Sequence, residues 1–513
     1  MNGAQSLVKT LLASDVDVCF ANPGTSEMHL VAALDEHPEM RCVLCLFEGG
    51  TSGAADGYAR MSGKVAATLL HLAPGFGNSY ANVHNARKAG TGMVNVVGDH
   101  ADYHLKYDSP LKGNIEGVAG AVSHWVRVSP DARAVAGDGA DAVRAARAKN
   151  GQIATLILPA NTAWEAADGV AVATPPAPLN RPSEAQIAQA AEALKAPGAA
   201  LLVGGAGVYG EGAELAGKIA TAAGCRLIAG LQNARFERGA GAVPIERQPY
   251  VVEQNVAFLA DLSTIVLCGG QEPVSFFAYP GKPSLPAPVD CAIMDLCDST
   301  MDVLWTLGAL VDALGANDVE PPRSELNVAP APTGAIEVEK LGPAIAAHLP
   351  AGMILSDEAV TIGRGIAPAL ETAPRHDLLT TTGGAIGQCL PAAVGAAVAC
   401  PDRKVLAMTG DGSAMYTLQS LWTMARENLD ITVIVFANRG YQILRGELAN
   451  VGVETVGRNA VRMLDVDDPT LDWVSLAKGH GVAGERVTDM EGFNAALPRG
   501  LAMDGPYLIE VVC

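Results

Sequence analysis

Short apolar runs alternate with stretches of helical periodicity along the whole chain. In the first third these runs are VDVCFANPG, RCVLCLFEGG, KVAATLLHLAPG, GMVNVVGD and QIATLILPA. Apolar strands separated by helical segments predict βαβ units and parallel sheets. The pattern breaks twice, at DGVAVATPPAPLNRPS and at ANDVEPPRSELNVAPAPTG. Both are rich in proline and read as linkers. They divide the chain into three α/β blocks, residues 1–167, 183–315 and 335–513, each of ordinary domain size. The predicted fold is three doubly wound parallel-sheet domains.

One apolar run is longer than a strand. From Leu378 to Pro401, LLTTTGGAIGQCLPAAVGAAVACP carries no charge and has the length to span a bilayer. Gly383, Gly384, Gly387, Gln388 and Pro391 interrupt it, and Pro391 suits the first turn of a helix. A strand, a turn and a buried Ala-rich helix are predicted instead. At 513 residues the chain exceeds one core. Hydrophobic residues make up 49 % and charged residues 18 %, the balance of a globular enzyme. A formal net charge of −20, with no basic run, argues against a nucleic-acid partner. The N-terminus lacks a basic region followed by a long apolar core, so a cytoplasmic protein without a signal peptide is expected. The ten cysteines are scattered, and only Cys42 and Cys45 form a C-x-x-C, inside the apolar run CVLCLF. Buried, reduced thiols are expected there, not a zinc or redox centre.

Two glycine-rich turns are candidates for phosphate. GGAGVYGEG at Gly204 is like a dinucleotide fingerprint, but CRLIAGLQNARFERG follows where an acidic strand end is wanted. A structural turn and a nucleotide or flavin site both stand as readings. The second place is VLAMTGDGSAMYTLQSLWTMARENLDITVIVFANRG. It sets Asp411 between Gly410 and Gly412 at one strand end, and Asn438 at the end of the next. Ligands of parallel sheets sit at this carboxyl edge. An Asp and an Asn offer hard oxygens with one full charge, which suits Mg²⁺ completed by phosphate oxygens and water. The glycines allow close backbone approach, and a helix starting near Ser413 turns free N–H groups to the same point. The arrangement suits a magnesium diphosphate; a capped turn is the plainer alternative for DGS alone.

Gly410-Asp411-Gly412, then 25 residues, then Asn438-x-Gly440, with the strand ITVIVFAN between, resembles a known motif. It is the thiamine diphosphate motif of the acetolactate synthase, pyruvate oxidase and 2-oxo acid decarboxylase superfamily. The resemblance implies Mg²⁺ held by the side chains of Asp411 and Asn438 and by the carbonyl of Gly440. It implies thiamine diphosphate contacts at Gly410, Gly412, Ser413, Ala414, Tyr441 and Thr361. LCLFEGGTSGAADGYAR looks like the family's strand-Glu-helix segment, with Glu48 as the carboxyl that protonates the pyrimidine ring. At the end of an apolar strand Glu48 is expected to be desolvated, which raises a carboxyl pKa. A carboxylate satisfying a helix N-terminus is the structural alternative. TTGGAIGQCLPAAVGAA resembles the segment under the thiazolium. There the Gly384 carbonyl would accept from the 4′-amino group and Ile386 would bend the cofactor. The three domains become, in order, pyrimidine-binding, central and diphosphate-binding.

ANPGTSE resembles the NPGS turn of benzoylformate decarboxylase, with Thr25 where a serine meets the substrate carboxylate. LHLAPGFGN resembles that enzyme too, and places His71 on a catalytic histidine that acetolactate synthases lack. The second histidine expected in the central domain is missing; after EPVSFF the position is Ala278. His100 and His104, in GDHADYHLKYDSP, are candidates to compensate, against a solvated loop. RNAVRMLDVDDPTLDW is expected to cover the site. The resemblance implies a thiamine diphosphate- and Mg²⁺-dependent enzyme that decarboxylates a 2-oxo acid, with carboligation of the aldehyde unit as a further outcome. Acetolactate synthase-like condensation of pyruvate is the alternative. It also implies a homodimer or homotetramer with active sites at subunit interfaces; no membrane partner is expected.

Overall fold

The structure is a computed structural model that describes residues 1–513. Its strands form three sheets. The first holds β1 (Val18–Asn22), β2 (Arg41–Leu44), β3 (Ala66–His71), β4 (Met93–Asp99), β5 (Trp125–Val128) and β6 (Ile153–Pro159), in the order β2-β1-β3-β4-β6-β5. All its pairs are parallel. The second holds β7 (Ala199–Val203) and β8 (Arg226–Ala229). The next strand, β9 (Phe236–Arg238), leaves this sheet, which resumes with β10 (Glu246–Arg247), β11 (Thr264–Cys268) and β12 (Ala292–Cys297). The third holds β13 (Met353–Glu358), β14 (His376–Thr380), β15 (Val405–Gly410), β16 (Ile431–Ala437), β17 (Ala483–Val487) and β18 (Tyr507–Val512). Its order is β17-β18-β16-β15-β13-β14-β9.

β9 is the departure from the predicted pattern. The central block lends it to the third sheet, antiparallel to β14. Arg235 bonds Asp377 at 2.6 Å and Arg375 reaches Glu237 at 2.7 Å, so ion pairs fix this edge. A covered edge no longer offers its backbone to other chains.

The charge-free stretch resolves into β14, a loop, and the helix Cys389–Ala399, which is buried from Cys389 through Val398. That helix packs on the helix Glu48–Ser62 so closely that a Cβ on Gly57 would run into Ala392 O, and one on Gly395 into Ala54 O. Only small residues permit such backbone contact. No helix is long and apolar enough to cross a membrane. A buried ion pair locks the same seam. Arg60 holds Asp56 at 2.6 Å, and the two side chains are 1 % and 0 % exposed. Arg60 also donates to Thr380 O (2.8 Å), Ala234 O (3.1 Å) and Thr382 Oγ1 (2.9 Å), so one guanidinium ties all three blocks together.

The turn at Gly204 is structural. A Cβ on Gly204 would lie 2.5 Å from Gly269 O, so the glycine lets two strand ends meet. The following helix, Gly210–Ala223, begins against the protein's own carboxylate, with Gly210 N donating to Glu237 Oε2 at 2.9 Å. An anion would have to displace that carboxylate. Two cysteines depart from the expected burial: Cys42, on the edge strand β2, and Cys513 are exposed, while Cys45 is buried.

Candidate active site

β3 ends on His71, at the carboxyl edge of the first sheet, and the helix Leu72–Ala89 starts at once. Leu72 takes φ +52° to make that turn. Such a conformation is costly for a branched side chain and marks an over-determined site. His71 Nδ1 lies 2.8 Å from Glu27 Oε2 and 3.4 Å from Ser26 Oγ. Glu27 is fully buried, accepts from Gly24 N at 2.7 Å, and also accepts from Ser26 Oγ. A carboxylate on Nδ1 makes that nitrogen the N–H donor and leaves Nε2 to exchange protons. Thr25, expected to face the substrate, is exposed and takes no part in this network.

Glu48 stands beside His71. The position a Cβ on Gly75 would take lies 3.3 Å from Glu48 Oε1 and 3.4 Å from His71 Cβ. Asn78 donates to Glu48 Oε2 at 3.0 Å. Two expectations need correction here. β2 stops at Leu44, so Glu48 is not the strand end but the first residue of its helix. Its carboxylate is half-buried within the chain, not desolvated. The helix presents that side chain outward, beside the exposed Leu46.

His100 and His104 lie on the same edge. Strand register pairs His71 with Gly98, and His100 follows two residues later. The two imidazoles lie 5.4 Å apart, tilted by 51°, His104 meets Tyr107 at 5.5 Å, and His100 Nε2 lies 3.0 Å from Ser109 Oγ. Asp99 accepts from His100 N at 2.7 Å, and burial pushes its carboxyl up. The loop comes back to the His71 turn, where a Cβ on Gly113 would lie 2.5 Å from Ala73 Cβ. The position matched to the missing histidine, Ala278, is exposed on the loop between β11 and β12.

A second cluster occupies the carboxyl edge of the third sheet. Asp411 follows β15 and Asn438 follows β16, which are parallel neighbours. Asp411 Oδ1 accepts from Gly412 N and Oδ2 from Arg439 N, both at 2.7 Å. Burial pushes its carboxyl up, and those two bonds pull it down. Asn438 Oδ1 accepts from Gly440 N at 3.2 Å, and Arg439 between them takes φ +58°. Each of these oxygens keeps a lone pair. One carboxylate, one amide oxygen and the Gly440 carbonyl form a hard, sparsely charged donor set, which fits Mg²⁺ bound together with a diphosphate. No group of three or more His, Cys, Asp and Glu competes as a metal site. Tyr441 packs on Gly412, where a Cβ would lie 2.5 Å from its ring. The helix expected near Ser413 is the four-residue turn Asp411–Ala414, in which Ser413 and Ala414 are buried. Leu464 O accepts from Tyr441 N at 2.8 Å and Arg439 O from Val466 N at 2.8 Å. The segment expected to cover the site does reach it.

The loop from Thr381 to Gln388 carries the remaining residues. Gly384 takes φ +76° and Ile386 is half-buried. Asn85, from the first block, donates to Ala385 O at 2.8 Å, and His84 Nε2 lies 3.2 Å from Gly383 O. Beneath the loop sits Glu358, buried at the end of β13, accepting from Gly387 N (2.9 Å) and Gln388 N (3.0 Å). Val360 turns at φ +45° and places Thr361 in the helix Val360–Leu370, facing a cavity toward the central block.

Glu48 with His71 is thus one cluster, and Asp411 with Asn438, Gly440 and Tyr441 another. Within the chain no hydrogen bond joins the two sets. Residues 1–120 match the N-terminal, and residues 361–511 the C-terminal, TPP binding domain of thiamine pyrophosphate enzymes. The chain is 47 % identical to a Mycobacterium tuberculosis protein named "Putative acetolactate synthase large subunit IlvX", over 100 % of this chain and 99 % of that protein. The chain belongs to the thiamine pyrophosphate enzyme family. Benzoylformate decarboxylase of Pseudomonas aeruginosa is 27 % identical over 96 % of this chain and 95 % of its own. In fold, this family member superposes on a 4-hydroxybenzoylformate decarboxylase of Rhodococcus jostii with a TM-score of 0.86 at 23 % identity, covering 99 % and 98 % of the two chains. For a thiamine pyrophosphate enzyme, the residues that sequence reasoning missed are Glu27, Glu358 and Phe276, whose ring would lie 2.9 Å from a Cβ on Gly384. Glu27 had a visible signal, three residues beyond Gly24 in the same NPGTSE turn.

Proposed function

We propose that this thiamine pyrophosphate enzyme, with Mg²⁺, decarboxylates a 2-oxo acid without oxidation and transfers the aldehyde unit where an acceptor is present. The observation that carries this reading is the His71–Glu27 pair beside Glu48, an acid–base group at the edge where the pyrimidine half would bind. Bound there, the cofactor supplies a nucleophilic carbon and a sink for the electron pair left when CO₂ departs. Asp411, Asn438 and the Gly440 carbonyl would hold the metal, and Ile386 would lie against the bound cofactor. Glu48, bonded by Asn78, would exchange a proton with the pyrimidine ring. Glu27 holds the imidazole through Nδ1, so His71 Nε2 would be free to supply the proton that replaces CO₂.

One observation favours a second reading. The full-length identity to the IlvX protein supports acetolactate synthase-like condensation of pyruvate. CO₂ release from a panel of 2-oxo acids, pyruvate and benzoylformate included, with and without thiamine diphosphate and Mg²⁺, decides. Cofactor-dependent release supports the class, and acetolactate from pyruvate supports the second reading. No release from any acid defeats both. Glu48→Gln is expected to lower kcat by about 10²–10³ while leaving cofactor affinity in place; full activity would remove Glu48 from the mechanism.

The site is assigned to a subunit interface of a homodimer or homotetramer. The Gly383–Ala385 segment meets the Leu72–Ala89 helix at His84 and Asn85. His71 precedes the start of that helix, about 20 Å away at 1.5 Å per residue. One chain therefore holds the thiazolium loop and its own His71 apart. A cytoplasmic location fits the unpaired thiols.

A further inference from the structure

A cavity of about 210 Å³ lies between the central block and the third. Its floor is Thr361, next to the strained Val360, and Gln442, next to Tyr441, so it adjoins the cofactor edge. Phe276 connects it to the thiazolium loop. Its ring centroid lies 5.3 Å from that of Tyr250 in the cavity wall, tilted by 48°, and its Cζ lies 2.9 Å from where a Cβ on Gly384 would be.

The wall is polar and carries four charged residues, of which two, Lys282 and Glu253, pair with each other. Lys282 binds Glu253 at 2.6 Å and Asn450 Oδ1 at 3.0 Å. Glu447 takes its bonds from neutral donors, Tyr250 OH at 3.3 Å and Asn450 Nδ2 at 3.2 Å. Arg364 is different. Its Cζ sits 4.7 Å over the Tyr250 ring, and the guanidinium has neither a carboxylate partner nor a hydrogen bond within the chain. The side chain is exposed and its N–H edge is unspent, the state in which arginine binds a carboxylate in bidentate fashion.

We propose that this cavity takes the side chain of the substrate and that Arg364 binds a second carboxylate at its far end, so the substrate class is 2-oxo dicarboxylic acids. The proposal rests on the decarboxylation reading above. Arg364 is a specificity residue and touches no reacting atom.

The test compares oxaloacetate, 2-oxoglutarate and 2-oxoadipate with the 2-oxo monoacid of the same chain length, in the parent, Arg364→Met and Arg364→Lys. The parent is expected to favour at least one diacid by tenfold or more in kcat/KM, on the order of what one matched polar partner gives. Arg364→Met brings that ratio to about one, and Arg364→Lys keeps part of it. Cofactor affinity stays the same. An unchanged ratio in Arg364→Met overturns the proposal. So does weakened cofactor binding with equal losses on both acids, which would give Arg364 to the diphosphate. If no acid releases CO₂, the decarboxylation reading falls, and calorimetric titration with glutarate decides the site alone. Glutarate binding that Arg364→Met abolishes upholds the anion site; absent or Arg364-independent binding overturns it.

Discussion

Glu358 is a carboxyl that the chemistry does not use and the site depends on. Burial pushes it up to about 7, against the Gly387, Gln388 and Cys389 backbone N–H groups that pull it down. Because its folded pKa lies above the unfolded one, its contribution to stability is complete at acid pH and is lost as pH rises through about 7. Glu358→Gln keeps a carbonyl for the backbone donors and removes the titration. The unfolding free energy of the parent relative to Glu358→Gln is expected to fall by a few kcal/mol between about pH 5 and pH 8, since each tenfold gain in proton affinity is worth about 1.4 kcal/mol. Chemical denaturation across that range checks it, and parallel profiles would refute it. A second expectation concerns His100, on the His71 edge with Ser109 and His104. If it shares proton transfer, His100→Gln moves one limb of the pH–kcat profile, which a loop of purely structural role would leave in place. The strand-end places of Asp411 and Asn438 were legible in sequence from their spacing, whereas Glu48, expected at a strand end, opens a helix. Glu358 was not legible, and Glu27 showed only as a carboxylate three residues beyond Gly24. Each is a lone carboxylate whose meaning comes from register and loop geometry, His71 opposite Gly98 and Gly387 above β13.

Elements follow the same division. The βαβ alternation foretold the parallel sheets, and the glycines, glutamine and proline of residues 378–401 foretold a buried helix instead of a span. β9 was out of reach, because three residues carry too little pattern to name a partner sheet. Arg60 shows why such details matter for the site. It belongs to the Glu48–Ser62 helix, yet it fixes Thr380 and Thr382, at the root of the loop that carries Gly384 and Ile386. Removing one partner of a buried ion pair leaves an uncompensated charge, so Arg60→Met is expected to cost about 3–5 kcal/mol. Replacing Asp56 with Asn in the same chain should recover part of that loss, since the stranded charge disappears. Denaturant midpoints of the single and double variants read this directly. Equal stability of parent and Arg60→Met would mean that the backbone contacts at Gly57 and Gly395 hold the seam unaided.

At the scale of the molecule, each half-site carries exposed apolar residues, as the linkers and the central block also do. Leu46, Tyr80, Tyr103 and Tyr107 lie on elements around Glu48 and His71, and Tyr416, Leu444 and Met463 around Asp411 and Asn438. Within the chain, two of the third-block residues beside the Glu48 segment are Thr423, bonded to Leu44 O at 3.0 Å, and Glu427, paired with Arg41 at 3.5 Å. Neither is a cofactor ligand. If two half-sites from different copies make one whole, two inactive proteins can repair each other. Glu48→Gln and Asp411→Asn are each expected to be inactive as homodimers. Unfolded, mixed and refolded together, they form heterodimers in which one site is doubly damaged and the other intact. Random pairing then restores roughly a quarter of the parent activity, because a two-fold dimer carries two equivalent sites. A site built inside one chain would restore nothing. Sedimentation run on the same mixture adds the second check, since activity that cosediments with a monomer would contradict the shared site whatever its level.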